Sequence, residues 1–157
     1  MPELGRDDAW VRGLGIGVAA GSRTTLGLLG PVAAGAGQPR HPAVRLLATA
    51  GIAGEIVGDK LPWTPSRVAG AGPFFRVAAG AVGALQLGAG GSPGRRLAVA
   101  GVGAAGALAG TWAGYGWRRL FARRGLPDWP AAVTEDVVAL VLAAASLGVR
   151  VRRDPAA

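Results

Sequence analysis

Arg23 stands alone in a long apolar stretch. From Gly13 to Gly37 it is the only ionisable side chain, and it sits inside Gly21-Ser22-Arg23-Thr24-Thr25. A guanidinium in such a place must find an anionic partner or water. It suits two roles: holding an anion or carboxylate, or pairing structurally with Glu55 or Asp59. Those two carboxylates are four residues apart, so they share one helix face. Gly51, Gly54 and Gly58 flank that face, which predicts a helix-packing side with Glu55 turned inward. Asp59-Lys60 precedes Pro62, a helix stop, and is expected at an interface.

A second carboxylate pair, Glu135-Asp136, follows Thr134 and precedes Val137-Val138-Ala139-Leu140. Hydroxyl and acidic residues before an apolar run suit a helix N-terminus, where they complement the dipole. The pair also suits an ion site. The candidate binding or ion-pathway residues are therefore Arg23, Glu55, Asp59, Lys60, Glu135 and Asp136. Arg76 is expected to snorkel outward from the start of its segment.

Enzyme chemistry finds little support. The chain of 157 residues has no Cys and one His, His41. No thiolate metal site or Cys nucleophile exists, and a histidine zinc site or a Ser-His-Asp triad lacks its parts. We expect no catalytic set, no metal and no cofactor. Leu97 to Gly106 matches the G-x-G-x-x-G dinucleotide fingerprint, but Asp128 follows Arg123-Arg124-Gly125-Leu126-Pro127, which is no strand, so the required context fails. The net charge of +8 does not point to nucleic acid. The basic residues lie at segment ends and in connections rather than on one face, which suits anionic headgroups.

The elements that must carry these residues are apolar and poor in charge. Charged residues make up 17% of the chain, against about 25% in ordinary soluble domains, and none lies in Leu97–Trp117 or Val137–Val149. A soluble helix needs a polar face, and these stretches lack one. The pattern predicts an all-α, polytopic membrane bundle of four to five Gly/Ala-rich spans, near 13–37, 44–60, 74–91, 97–117 and 131–149. They form one membrane domain, 13–149, between a polar arm, 1–12, and a polar tail, 150–157. Gly21, the hydroxyls and Gly30-Pro31 predict a broken or re-entrant helix in the first segment. Trp10, Trp63, Trp117 and Trp129 fall at segment ends, as an aromatic belt would. The arm is not a positive signal-peptide region, because Glu3, Asp7 and Asp8 outweigh Arg6 and Arg12.

Glycines spaced by four form two ladders, Gly13-Gly17-Gly21 and Gly106-Gly110-Gly114. With Gly54 and Gly58 they are the candidate helix-packing residues, since small side chains let helices approach closely in lipid. Each ladder precedes a carboxylate pair, which suggests an inverted repeat with its site near the midplane. Expected partners are the lipid bilayer, a second copy of the chain and a small ion or solute. Basic residues divide almost evenly between the two sides of a five-span chain. The four arginines Arg118, Arg119, Arg123 and Arg124 favour their side, and the N-terminus with it, as cytoplasmic.

Ala20-Gly21-Ser22-Arg23, Glu55-Ile56-Val57-Gly58-Asp59-Lys60-Leu61-Pro62, Arg67, Arg76 with Gly80-Ala81 and Gly83-Ala84, and Glu135-Asp136 resemble domain-of-unknown-function family 4126. Its members are small bacterial integral membrane proteins. The likeness covers Gly13 to Gly148, and the E-x-x-x-D-K-x-P run is its most specific part. It implies an integral membrane protein without an established activity, and the chain is expected in a bacterial inner membrane.

Overall fold

The computed structural model describes residues 4–36, 41–58, 72–88 and 91–148, with side chains described for all but 4–7 and 58. Six helices account for them: α1 (Leu4–Ser22), α2 (Thr24–Ala33), α3 (Pro42–Gly58), α4 (Gly72–Leu87), α5 (Pro93–Arg123) and α6 (Asp128–Leu147). Among the described residues there is no strand.

Local chemistry explains several helix ends. Ser92 caps α5 by accepting from the Arg95 N–H, and Pro93 fills the first helical position, where no N–H is needed. Gly148 ends α6 in the left-handed conformation, φ 69°, which suits a residue without Cβ. Arginines then cover orphan carbonyls at helix C-termini. Arg12 Nε donates to Ser146 O of α6 at 2.6 Å, and Arg45 Nε donates to Ala33 O of α2 at 3.0 Å. A cation at a helix C-terminus also complements the dipole.

The helices alternate in direction. A Cβ built on Gly27 would meet Ala20, and one on Gly30 would meet Ile16, so α2 folds back along α1. Glu55 meets Thr24 and Thr25 while Arg45 meets Ala33, so α3 runs against α2. Arg76 meets Gly21 while Ala84 meets Gly13, so α4 opposes α1. Gly13 lies by Val99, Gly17 by Gly103 and Gly21 by Ala107, so α1 and α5 run parallel. Finally, α6 opposes α1, with Arg12 at Ser146 and Arg23 at Asp136.

The 13–37 segment, expected as one span with a broken or re-entrant helix, is two helices that reverse at Arg23 and pack on each other. The ladder helices α1 and α5 are parallel, whereas halves of inverted topology would oppose them. Within the polar arm 1–12, the chain is helical from Leu4 and forms the first part of α1. The basic run Arg118–Arg123 continues α5 as helix rather than forming a loop.

Close backbone approach holds α1, α4 and α5 together. A Cβ on Gly17 would come closer than 3.0 Å to the Gly103 backbone, and one on Gly110 would do the same to Val18. Gly21 and Gly106 are equally tight, and Gly80 and Gly103 face each other across α4 and α5. Gly13 is in ordinary contact. Gly54 is a correction: nothing lies within 4 Å of a Cβ there, because α3 packs on α2 through other positions and leaves Gly54 exposed.

The core is correspondingly small-sided, with Ile16, Ala19, Leu26, Ala84, Val99, Ala139 and Ala143 buried. Large apolar side chains instead cover the outside. Leu46 and Leu47 are 70% and 72% exposed, and Phe74, Leu97, Trp112 and Val141 are also out. Two helices, α5 and α6, are long and apolar enough to cross a membrane. The first half of α1 carries charge, and α3 and α4, with 17 and 16 residues, reach only about 25 Å.

Candidate functional site

The site is built around a break in the backbone. Arg23 is extended, φ −139° and ψ 107°, between α1 and α2. Its N–H still donates to Ala19 O at 2.8 Å, as in a helix, and its carbonyl accepts from the Leu26 N–H at 3.0 Å. The reversal strands the Thr24 and Thr25 N–H groups on one side and the Gly21 carbonyl on the other.

Each stranded group is met by a side chain of fitting charge. Glu55, reaching over from α3, accepts from the Thr24 N–H and the Thr25 N–H, both at 2.9 Å, and from the Thr25 hydroxyl. It therefore caps α2 from another helix. Arg76, on α4, donates to Gly21 O at 2.8 Å. The Thr111 hydroxyl, on α5, shares its proton between Gly21 O at 3.1 Å and Ala107 O at 2.8 Å. A carboxylate thus faces the positive end of α2 and a guanidinium faces the negative end of α1.

Arg23 itself turns away from this backbone and into the protein. At 1% exposure it is the largest fully buried side chain described. Its Nε donates to Asp136 Oδ1 at 2.7 Å, and Nη2 reaches the same oxygen. Glu135, the neighbouring carboxylate, accepts from Arg118 Nε at 3.1 Å. Arg118 also reaches the exposed Asp128 at 3.3 Å through Nη1. Arg76 is near enough to Glu55, Glu135, Arg23 and Arg118 to interact electrostatically with all four.

Arg23, Arg76 and Arg118 and the carboxylates Glu55, Glu135 and Asp136, from five elements, therefore share one end of the bundle and balance in charge, with the exposed Asp128 as a fourth carboxylate at the rim. Neutrality is what a poorly solvated cluster requires, since an uncompensated buried ion is costly. Among the described residues every buried side-chain nitrogen and oxygen has a hydrogen-bond partner. No group of three His, Cys, Asp or Glu side chains there is placed to hold a metal ion.

Set against the sequence expectations, Arg23, Glu55, Glu135 and Asp136 come together. Asp59 and Lys60 lie outside the described residues, as does the Gly58 side-chain position. Asp136 pairs with Arg23, a partner that local spacing did not suggest. Glu135 and Asp136 do not open their helix. The N-cap of α6 is Pro127 and its first turn holds Asp128, which places the pair two turns inside. Arg76 points inward, not outward, because the break in α1 leaves a carbonyl for it. Thr111 and Arg118 were not among the expected site residues, and Arg118 entered only as one of the four arginines bearing on orientation. A spacing of four through Gly103, Ala107 and Thr111 was the available sign for Thr111. Gly114, the last rung of its ladder, leaves room for the Glu135 carboxylate, whose Oε1 would be 2.7 Å from a Cβ there. The G-x-G-x-x-G glycines lie inside α5, where Gly103 and Gly106 serve helix contact.

No protein-family model, curated protein or solved structure matches the chain.

Proposed function

We propose that the chain is a small multi-pass protein of a bacterial inner membrane with a transporter-like or channel-like role, its polar path running through Arg23, Glu55, Glu135 and Asp136. The observation that carries the reading is the one-residue chain reversal at Arg23, where a buried ion pair and a trans-capped helix end meet. Broken helices whose ends face polar groups are the usual way to build an ion or solute site inside a bilayer. Thr111, which bonds to the turn, marks its level on α5. Along that axis it lies about 21 Å from Leu97 and about 9 Å from Trp117, the ends of a charge-free stretch. The turn is then below the surface of a hydrocarbon layer about 30 Å thick.

The outward display of Leu46, Leu47, Phe74, Leu97 and Val141 supports lipid as the solvent. So does the small-residue packing of α1, α4 and α5. The resemblance to domain-of-unknown-function family 4126 fits the same class. In this reading Glu55 is the coupling group. Protonation would remove the charge that holds the first turn of α2, and the α2 end would then be open to exchange its partner.

The test is proton uptake into pyranine-loaded proteoliposomes under a valinomycin-set potential. Uptake above protein-free vesicles that is lost in Glu55→Gln and reduced in Arg23→Gln is expected. Equal uptake in all three proteins removes the proposed path, and no uptake in any removes the transport reading. Purified protein that stayed monodisperse without detergent would remove the membrane reading altogether.

A further inference from the structure

A cavity of about 350 Å³ opens between α1, α5 and α6 beside the ion pairs. We propose that it binds an apolar organic cation, whose charged group replaces Arg118 on the Glu135 carboxylate. The proposal names a substrate class for the path described above and rests on that reading for its transport meaning, though not for binding itself.

Shape comes first. Val18, Ala113 and Val138 form apolar walls, and Gly110 and Gly114 complete the α5 side of the lining. The volume lies in the range of small-molecule sites. The polar side chains of the lining are Ser22, Thr134 and Glu135, and Glu135 alone of the lining residues carries a charge. Such a cavity, apolar with one localised carboxylate, matches a ligand with a greasy body and a single positive charge. Trp117 adds an aromatic wall to the lining, and an indole face attracts a cation further.

Charge exchange is the second part. Glu135 is buried, while Arg118 is partly exposed and already divides itself between Glu135 and the exposed Asp128. A cation arriving at Glu135 does not strand the guanidinium, because Arg118 keeps Asp128 and gains water. Arg23 has no such exit: it is buried and bound to Asp136, so the exchange is confined to the Arg118 side. An anion of the same shape would meet the Glu135 carboxylate and be repelled.

The probe is tetraphenylphosphonium, titrated into the full chain in detergent and followed by calorimetry, with tetraphenylborate as the same shape of opposite charge. Saturable binding of the phosphonium is expected, weakened at least tenfold in Glu135→Gln and in Ala113→Trp, without competition from the borate. Ala113→Trp fills the exposed side of the cavity and leaves every charge in place, so it carries the test if Glu135→Gln does not fold by circular dichroism. Absence of saturable binding, unchanged binding in the folded variants, or equal binding of the borate overturns the proposal. Binding without vesicle uptake keeps the site and removes only its transport meaning.

Discussion

The Arg23 guanidinium reaches Asp136, 113 residues further along the chain, and so ties the reversal between α1 and α2 to the third turn of α6. Both groups are buried, which makes the pair costly to break and of little net worth as a pair. Arg23→Gln or Asp136→Asn alone should each cost about 3–5 kcal/mol. The double change Arg23→Met with Asp136→Leu should recover most of that. Thermal unfolding in detergent measures all of them, and additive losses in the double variant would show that the two side chains act separately.

Glycine contacts divide sharply by position. Gly17→Leu puts carbon atoms into the Gly103 backbone, and overpacking of this kind costs about 1–3 kcal/mol or more. Gly54→Ala enters open space on an exposed helix face and should stabilise by up to about 1 kcal/mol through helix propensity. Melting temperatures that shift alike for both substitutions would contradict the packing described.

Glu55 acts as the cap of a helix to which it does not belong. Glu55→Ala should release the Thr24 and Thr25 amides, at a cost of about 0.5–2 kcal/mol, typical of a lost cap. Hydrogen exchange of the 20–30 peptide should speed up while that of α6 holds. Glu55→Gln, which keeps one carbonyl acceptor, should fall between the two. Unchanged exchange at the α2 start in Glu55→Ala would remove the capping role.

The reversal at Arg23 also sets which ends lie together. With helices alternating in direction, Asp8 and Ser92 lie at one end of the bundle and Ala122 at the other. The chain has no native Cys. Single cysteines at these three positions in vesicles should label with an impermeant maleimide in the grouping Asp8 with Ser92, apart from Ala122. A first segment that crossed only once would instead group Asp8 with Ala122.

Much of the local character was legible in the residues. The helical class, the lack of a polar face over Leu97–Trp117, the break near Gly21-Ser22-Arg23 and the ladders at Gly17, Gly21, Gly106 and Gly110 all rest on neighbours within a few positions. Composition and spacing report such properties directly. The boundaries were less legible. Arg118–Arg123 reads as a basic loop, yet nothing there stops a helix, and α5 runs on to Arg123.

Tertiary structure decided the rest. Whether the chain continues or turns back at Arg23 depends on packing between α1 and α2, and no local spacing encodes it. Once it turns back, the Gly21 carbonyl and the Thr24 and Thr25 amides need partners, and this need draws Arg76 inward and sets Glu55 on the α2 end. Asp136 becomes the partner of Arg23 only because α6 runs beside α1. Hydrogen-bond debts created by a fold are settled by whichever side chains the fold brings within reach, and the linear order of residues does not contain that information.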